Sequence, residues 1–113
     1  MKRKRRSDRR QLIYKITCKV TGEIYIGLTV LNGGWKKTLK ARFARHVGRA
    51  ILHPELNWNL CNCIRDHKLS DFVVDCLAII KGKAEAHLFE TALIDELEPS
   101  LNTFKKGFDK LKK

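Results

Sequence analysis

The sequence predicts an α+β domain in which a small three-stranded antiparallel sheet is flanked by helices, in the order β-β-α-α-β-α. Three observations predict it. Two β-branched apolar runs flank a short turn-forming stretch, the apolar period changes to helical spacing after Lys36, and a mostly apolar run from Phe72 to Ile80 lies between two further helical stretches.

Taken in order, Gln11 to Thr17 and Glu23 to Thr29 read as a hairpin across Cys18-Lys19-Val20-Thr21-Gly22, with Gly22 supplying the turn. Val30 to Trp35, containing Asn32-Gly33-Gly34, is a loop. From Lys36 onward Leu39, Phe43, Val47 and Ala50 recur at helical spacing, giving a first amphipathic helix to about Leu52, where His53-Pro54 breaks it. Glu55 to His67 is a second helix with Leu60 and Ile64 inward. Phe72 to Ile80 suits a well-buried third strand. Lys81-Gly82-Lys83 is a turn, and Ala84 to Glu98 is a third helix ended by Pro99.

At 113 residues the chain has room for one domain with one core. Its 43% apolar and 32% charged residues are an ordinary globular balance, so the core needs no disulfides, and Cys18, Cys61, Cys63 and Cys76 are read as reduced thiols. No apolar run is long enough to span a membrane, and the basic N-terminal stretch is not followed by a signal-peptide core. An intracellular, soluble protein with no membrane partner is expected, cytoplasmic or nucleoid-associated in a phage- or bacteria-type host.

The net charge of +12 is unevenly spread. Residues 1–10 hold seven Lys/Arg against Asp8, a net of +6, and residues 103–113 hold five against Asp109, a net of +4, leaving +2 on the body at 11–102. A basic arm and a basic tail on a nearly neutral body point to a polyanion, since each Lys or Arg near a phosphate releases condensed counterions. Nucleic acid is the expected partner; runs that are merely solubilising, or a localisation signal, remain open on charge alone.

Certain side chains look costly. On the third helix Ala86, Leu93, Ile94 and Leu97 fall within about 60° of Glu90, which places this carboxylate in the middle of the apolar face. It must be paired with Arg or Lys, protonated, or bound to a metal. On the first helix Arg42, Arg45, His46 and Arg49 share a face, with Arg42 and His46 one turn apart at the rim of the apolar stripe. Such a face is either solvated or grips phosphate: Arg can hold two phosphate oxygens at once, and His can relay a proton near neutral pH. Tyr14 and Tyr25 lie on the paired strands, where tyrosine commonly packs.

Leu12-Ile13-Tyr14, followed after ten residues by Tyr25-Ile26-Gly27, resembles the two tripeptides that name the GIY-YIG nuclease family. The resemblance continues through Thr29, through Arg42-Phe43-Ala44-Arg45-His46, through Glu90 in Leu-Phe-Glu-Thr-Ala-Leu-Ile, and through Pro99-Ser100-Leu101-Asn102. It spans residues 12–102, and five elements in order are a specific signal. Leu12 stands where the family's glycine usually is, so the backbone freedom of that glycine is absent.

The resemblance implies a homing-endonuclease-like catalytic domain that hydrolyses phosphodiester bonds of DNA with one divalent cation, Mg²⁺ or Mn²⁺, held by Glu90. It further implies that Tyr14 helps deprotonate the attacking water and that Tyr25 hydrogen-bonds near the scissile phosphate. Arg42 would stabilise transition-state charge, and His46 would orient or deprotonate a partner. Gly27, Thr29 and Asn102 are expected in support, and Lys36, Lys37, Arg45 and Arg49 against the DNA backbone. A phenol of ordinary pKa is a poor base at neutral pH, so a neighbour must perturb Tyr14.

The alternative is a non-catalytic basic nucleic-acid-binding protein in which Glu90 is structural. A structural zinc is argued against by spacing: Cys61 and Cys63 point about 200° apart on a helix, although Cys63 and His67, four apart, can share a face. With room only for short arms, the chain is expected to cut with little sequence preference, to form a homodimer, or to be part of a longer protein.

Overall fold

The computed structural model describes residues 10–102, so the basic arm, Arg10 apart, and the basic tail lie outside the described residues. The elements are β1 (Arg10–Cys18), β2 (Ile24–Val30), α1 (Trp35–Leu52), α2 (Asn59–Asp66), β3 (Phe72–Lys81) and α3 (Lys83–Leu97), with a 3-10 turn at Leu69–Asp71 before β3. The three strands form one antiparallel sheet in the order β2-β1-β3. This is the α+β fold expected, in the expected order. Among the described residues no helix is long and apolar enough to cross a membrane.

The hairpin closes where Gly22 takes a left-handed φ of 79°, which lets its N–H donate to the Cys18 carbonyl at 2.8 Å while the Cys18 N–H reaches the Glu23 carbonyl at 2.9 Å. Being central, β1 is buried on both faces: Leu12, Tyr14, Ile16 and Cys18 face the core under α1 and α2, and Ile13 is buried as well. Leu12 therefore contributes a core side chain. Across that core lie Leu39 and Ala50 of α1, Leu60, Cys61, Cys63 and Ile64 of α2, and Phe72. α3 rests against all three strands.

Three expectations need correction. The second helix begins at Asn59 and ends at Asp66 rather than running from Glu55 to His67. Residues 55–58 instead form a connection whose carbonyls are met from a distance: Arg65 donates to the Leu56 carbonyl at 2.5 Å and to the Ala50 carbonyl at 3.0 Å, binding the end of α1 to α2. Secondly, β3 is an edge strand, with Val73, Leu77 and Ile79 between 36% and 42% exposed, because β1 takes the central place and α3 does not cover the outer rim. A bulge opposite Ile13 and Tyr14 also interrupts it, leaving Leu77 without a partner between Cys76 and Ala78. Thirdly, Ala86 is the buried residue of α3, and its other apolar side chains are half-buried or exposed. Glu90 is therefore at the margin of the core, its side chain 18% exposed, rather than within it.

Candidate active site

The site begins with a strand register. Tyr14 on β1 pairs with Gly27 on β2, so the phenol ring lies over a residue with no side chain. A Cβ at Gly27 would overlap Tyr14 Cζ and Oη and come within 2.8 Å of Tyr25 Cε2. Glycine is what lets both tyrosines occupy this spot, and their ring centroids are 6.1 Å apart. Tyr25 pairs with Ile16, on the same face.

α1 supplies the partners from above. Arg42 Nε donates to the Tyr14 oxygen at 3.2 Å, and the same oxygen lies 2.9 Å from His46 Nε2. Their spacing of one helical turn allows both side chains to reach one atom. The His46 ring also meets Tyr25 edge-on, with centroids 5.2 Å apart.

Burial pushes the Tyr14 phenol up, against the opposing pull of the Arg42 guanidinium. Tyr25 is raised further by burial, with the Tyr14 hydroxyl adding to it. His46 is pushed down to about 4 by burial and then by the charges of Arg42 and Arg49. Near neutral pH the imidazole is therefore neutral, and the phenolic proton has Nε2 as acceptor while Arg42 fills a lone pair of the oxygen. That arrangement assigns the remaining imidazole proton to Nδ1.

Glu90 approaches from α3. It borders a cleft of about 510 Å³ together with Tyr25, Gly27, Thr29, Lys83, His87 and Asn102. Burial raises its pKa, and His87 partly offsets this from 3.5 Å. Among the described residues the carboxylate meets this imidazole, which is charged only when protonated, rather than the Arg or Lys that a structural ion pair would require. Its charge is also felt by both phenols, on each of which it acts to raise the pKa.

Asn102 braces the outer edge of β2. Its Oδ1 accepts from the Ile26 N–H and its Nδ2 donates to the Ile26 carbonyl, both at 2.9 Å, so the amide acts as one residue of an extra strand. The Leu101 N–H adds a bond to the Ile24 carbonyl at 3.0 Å.

A second, larger cleft of about 930 Å³ lies against α1, bordered by Arg10, Thr29, Lys37, Thr38, Arg42 and Arg45 among others. Thr29 and Val30 are common to both clefts. Buried Thr38 shapes this groove, its Oγ1 accepting from the Asn32 N–H at 3.0 Å and within reach of the Asn32 and Gly34 carbonyls for its one proton.

Of the residues expected in the site, Tyr14, Tyr25, Gly27, Arg42 and His46 meet directly, and Glu90, Thr29 and Asn102 border the adjoining cleft. Lys37 and Arg45 border the basic groove. Lys36 lies over the Trp35 ring, 5.5 Å from its centroid, and Arg49 over Trp58 at 5.4 Å, neither among the residues bordering that groove. Sequence reasoning missed Thr38, Lys83 and His87. The last two could have been found, since Lys83, His87 and Glu90 follow one another at four and three residues on one helix face.

No curated protein and no solved structure matches the chain significantly. The family model of the GIY-YIG catalytic domain does match, over residues 10–105. That span takes in both tyrosines, the α1 pair, Glu90 and Asn102, so the chain belongs to the GIY-YIG catalytic domain family, a family of nucleases.

Proposed function

We propose that this protein is a divalent-metal-dependent DNA endonuclease that hydrolyses phosphodiester bonds between the two clefts. One observation carries the reading: a phenol oxygen held between a guanidinium and a neutral imidazole, beside a half-buried carboxylate whose ion-pair contact, among the described residues, is with His87 rather than with a Lys or Arg. A purely structural tyrosine has no need of such company.

Glu90 suits a hard cation such as Mg²⁺ or Mn²⁺. It offers oxygen ligands from a cleft with room for water and phosphate, and the cost of burying its charge is only partly offset by His87. When bound, the cation supplies Lewis acidity toward the phosphate. The chain's own groups do the rest. His46, neutral, accepts the Tyr14 hydrogen bond at 2.9 Å and so fixes the phenol oxygen where it accepts a hydrogen bond from the attacking water and orients it. Arg42, positioned by the Tyr14 oxygen through Nε, keeps its Nη donors for a phosphate oxygen and opposes the charge that grows in the transition state. Tyr25, raised by burial, stays protonated and donates to the substrate. Arg10, Lys37 and Arg45 hold the DNA backbone in the basic groove.

Nicking of supercoiled plasmid tests the proposal. Cutting should require Mg²⁺ or Mn²⁺, and Glu90→Gln and Arg42→Ala should each lower it by about 10²-fold or more while DNA affinity stays within a few-fold. If the parent binds DNA without cutting under any divalent cation, the protein is a binding module. If both variants cut as well as the parent, the site is misassigned.

A further inference from the structure

A second constellation lies at the other end of β1. Cys18 is the last residue of that strand, Cys63 is in the final turn of α2, and His67 follows directly after α2. The sequence offers only the local pair, Cys63 and His67; the fold delivers Cys18 from the hairpin. One ligand atom of each residue lies within 4.8 Å of the other two.

We propose that Cys18, Cys63 and His67 bind a zinc ion that joins the hairpin to α2. The separations suit it: Zn–S near 2.3 Å and Zn–N near 2.1 Å put tetrahedral ligands roughly 3.5–3.8 Å apart. Cys63 Sγ and His67 Nδ1 are already 3.7 Å apart. Little more than side-chain rotation would draw in the third ligand.

The donor set selects the ion. Two thiolates with one imidazole are soft ligands that favour zinc over Mg²⁺. Their two negative charges balance the dication, so the filled site is neutral, as a buried site should be. Both cysteines are buried, at 0% and 6% exposure, while His67 is part-exposed and gives the ion and a solvent ligand their way in. The surroundings are fixed independently. His67 Nδ1 lies 2.9 Å from the Cys63 carbonyl, its ring stands edge-on to Phe72, and the Lys19 N–H donates to the Asp71 carbonyl at 2.7 Å just beyond Cys18. That contact holds the ring beside Cys63 in the metal-free protein; zinc would take Nδ1 in place of the proton it donates there and leave the Nε2–H toward solvent.

The test needs no nuclease activity, so it stands or falls apart from the proposed function. Full-length protein purified without chelators should carry about one zinc per chain by elemental analysis. Apo-protein titrated with Co²⁺ should develop the near-ultraviolet thiolate-to-cobalt charge-transfer absorption. Cys18→Ser should lose that absorption. Because Cys18 belongs to the core, the part-exposed His67→Gln serves as the second variant, weakening zinc binding by more than about tenfold, since even outer-shell changes cost that much. Cys76→Ser should bind as the parent does. The proposal is overturned by a parent that takes up no zinc, by binding that survives in both Cys18→Ser and His67→Gln, or by mass spectrometry showing Cys18 and Cys63 joined as a disulfide.

Discussion

The hydroxyl of Tyr14 is held between a guanidinium that does not give up its proton and an imidazole that does not take one near neutrality. Depression of His46 from 6.5 to about 4 has a consequence for folding. Between these values the unfolded chain binds a proton that the folded chain refuses, so stability falls as pH drops through that window and is fully present above it. The loss should approach about 2–3 kcal/mol at the acid end. Urea unfolding between pH 7 and pH 4 should show this slope in the parent, and His46→Gln should flatten it. Glu90 works the other way. Burial penalises its ionised form, so in chelator at pH 7 Glu90→Gln should leave stability unchanged or raise it by up to about 1 kcal/mol, visible as a higher melting temperature. Added Mg²⁺ should then stabilise the parent and not the variant. At this scale sequence named side chains that lie together in the structure, but not their surroundings. Angular spacing on a helix tells which side chains share a face; what covers that face depends on strands sixty or more positions away, and so Glu90 was expected in the core when it stands at the lip of a cleft.

At the scale of elements, the periodic stretches were the legible ones. α1 and α3 begin and end within about a residue of where helical spacing and the Pro99 stop place them. The hairpin is where Gly22 puts it. What escaped was set by tertiary partners. The start of α2 depends on Arg65 reaching back to Ala50 and Leu56, and an apolar run such as β3 does not announce whether it will be central or peripheral. The brace on β2 belongs here too. Asn102 closes a strand edge with a side chain, satisfying both polar groups of Ile26. Asn102→Ala should cost about 1–3 kcal/mol and make the Ile26 amide exchange with solvent faster than its neighbours on β1. An unchanged Ile26 exchange rate would show that the edge is held by something else.

At the scale of the molecule, the described residues form a nearly neutral body that carries a basic groove. Arg10, Lys37, Arg42 and Arg45 border it, whereas Lys36 and Arg49 are taken up by tryptophan rings. Duplex binding measured against salt should separate the two sets. Lys37→Ala and Arg45→Ala should each lower the slope of log affinity against log salt by about 1, and Lys36→Ala and Arg49→Ala by clearly less. Equal effects from all four would mean that the duplex lies across α1 rather than along the groove. The two ends of the described chain add a last consequence. Arg10 borders the basic groove and Asn102 borders the cleft of Glu90, so sequence attached before one or after the other is tethered at the mouth of a working surface. Under the proposed function, basic residues at 1–9 and 103–113 would act on bound DNA at an effective concentration set by their attachment, not by dilution. An affinity tag on either terminus would share that privilege, and binding constants measured with it attached would describe the tag as much as the protein.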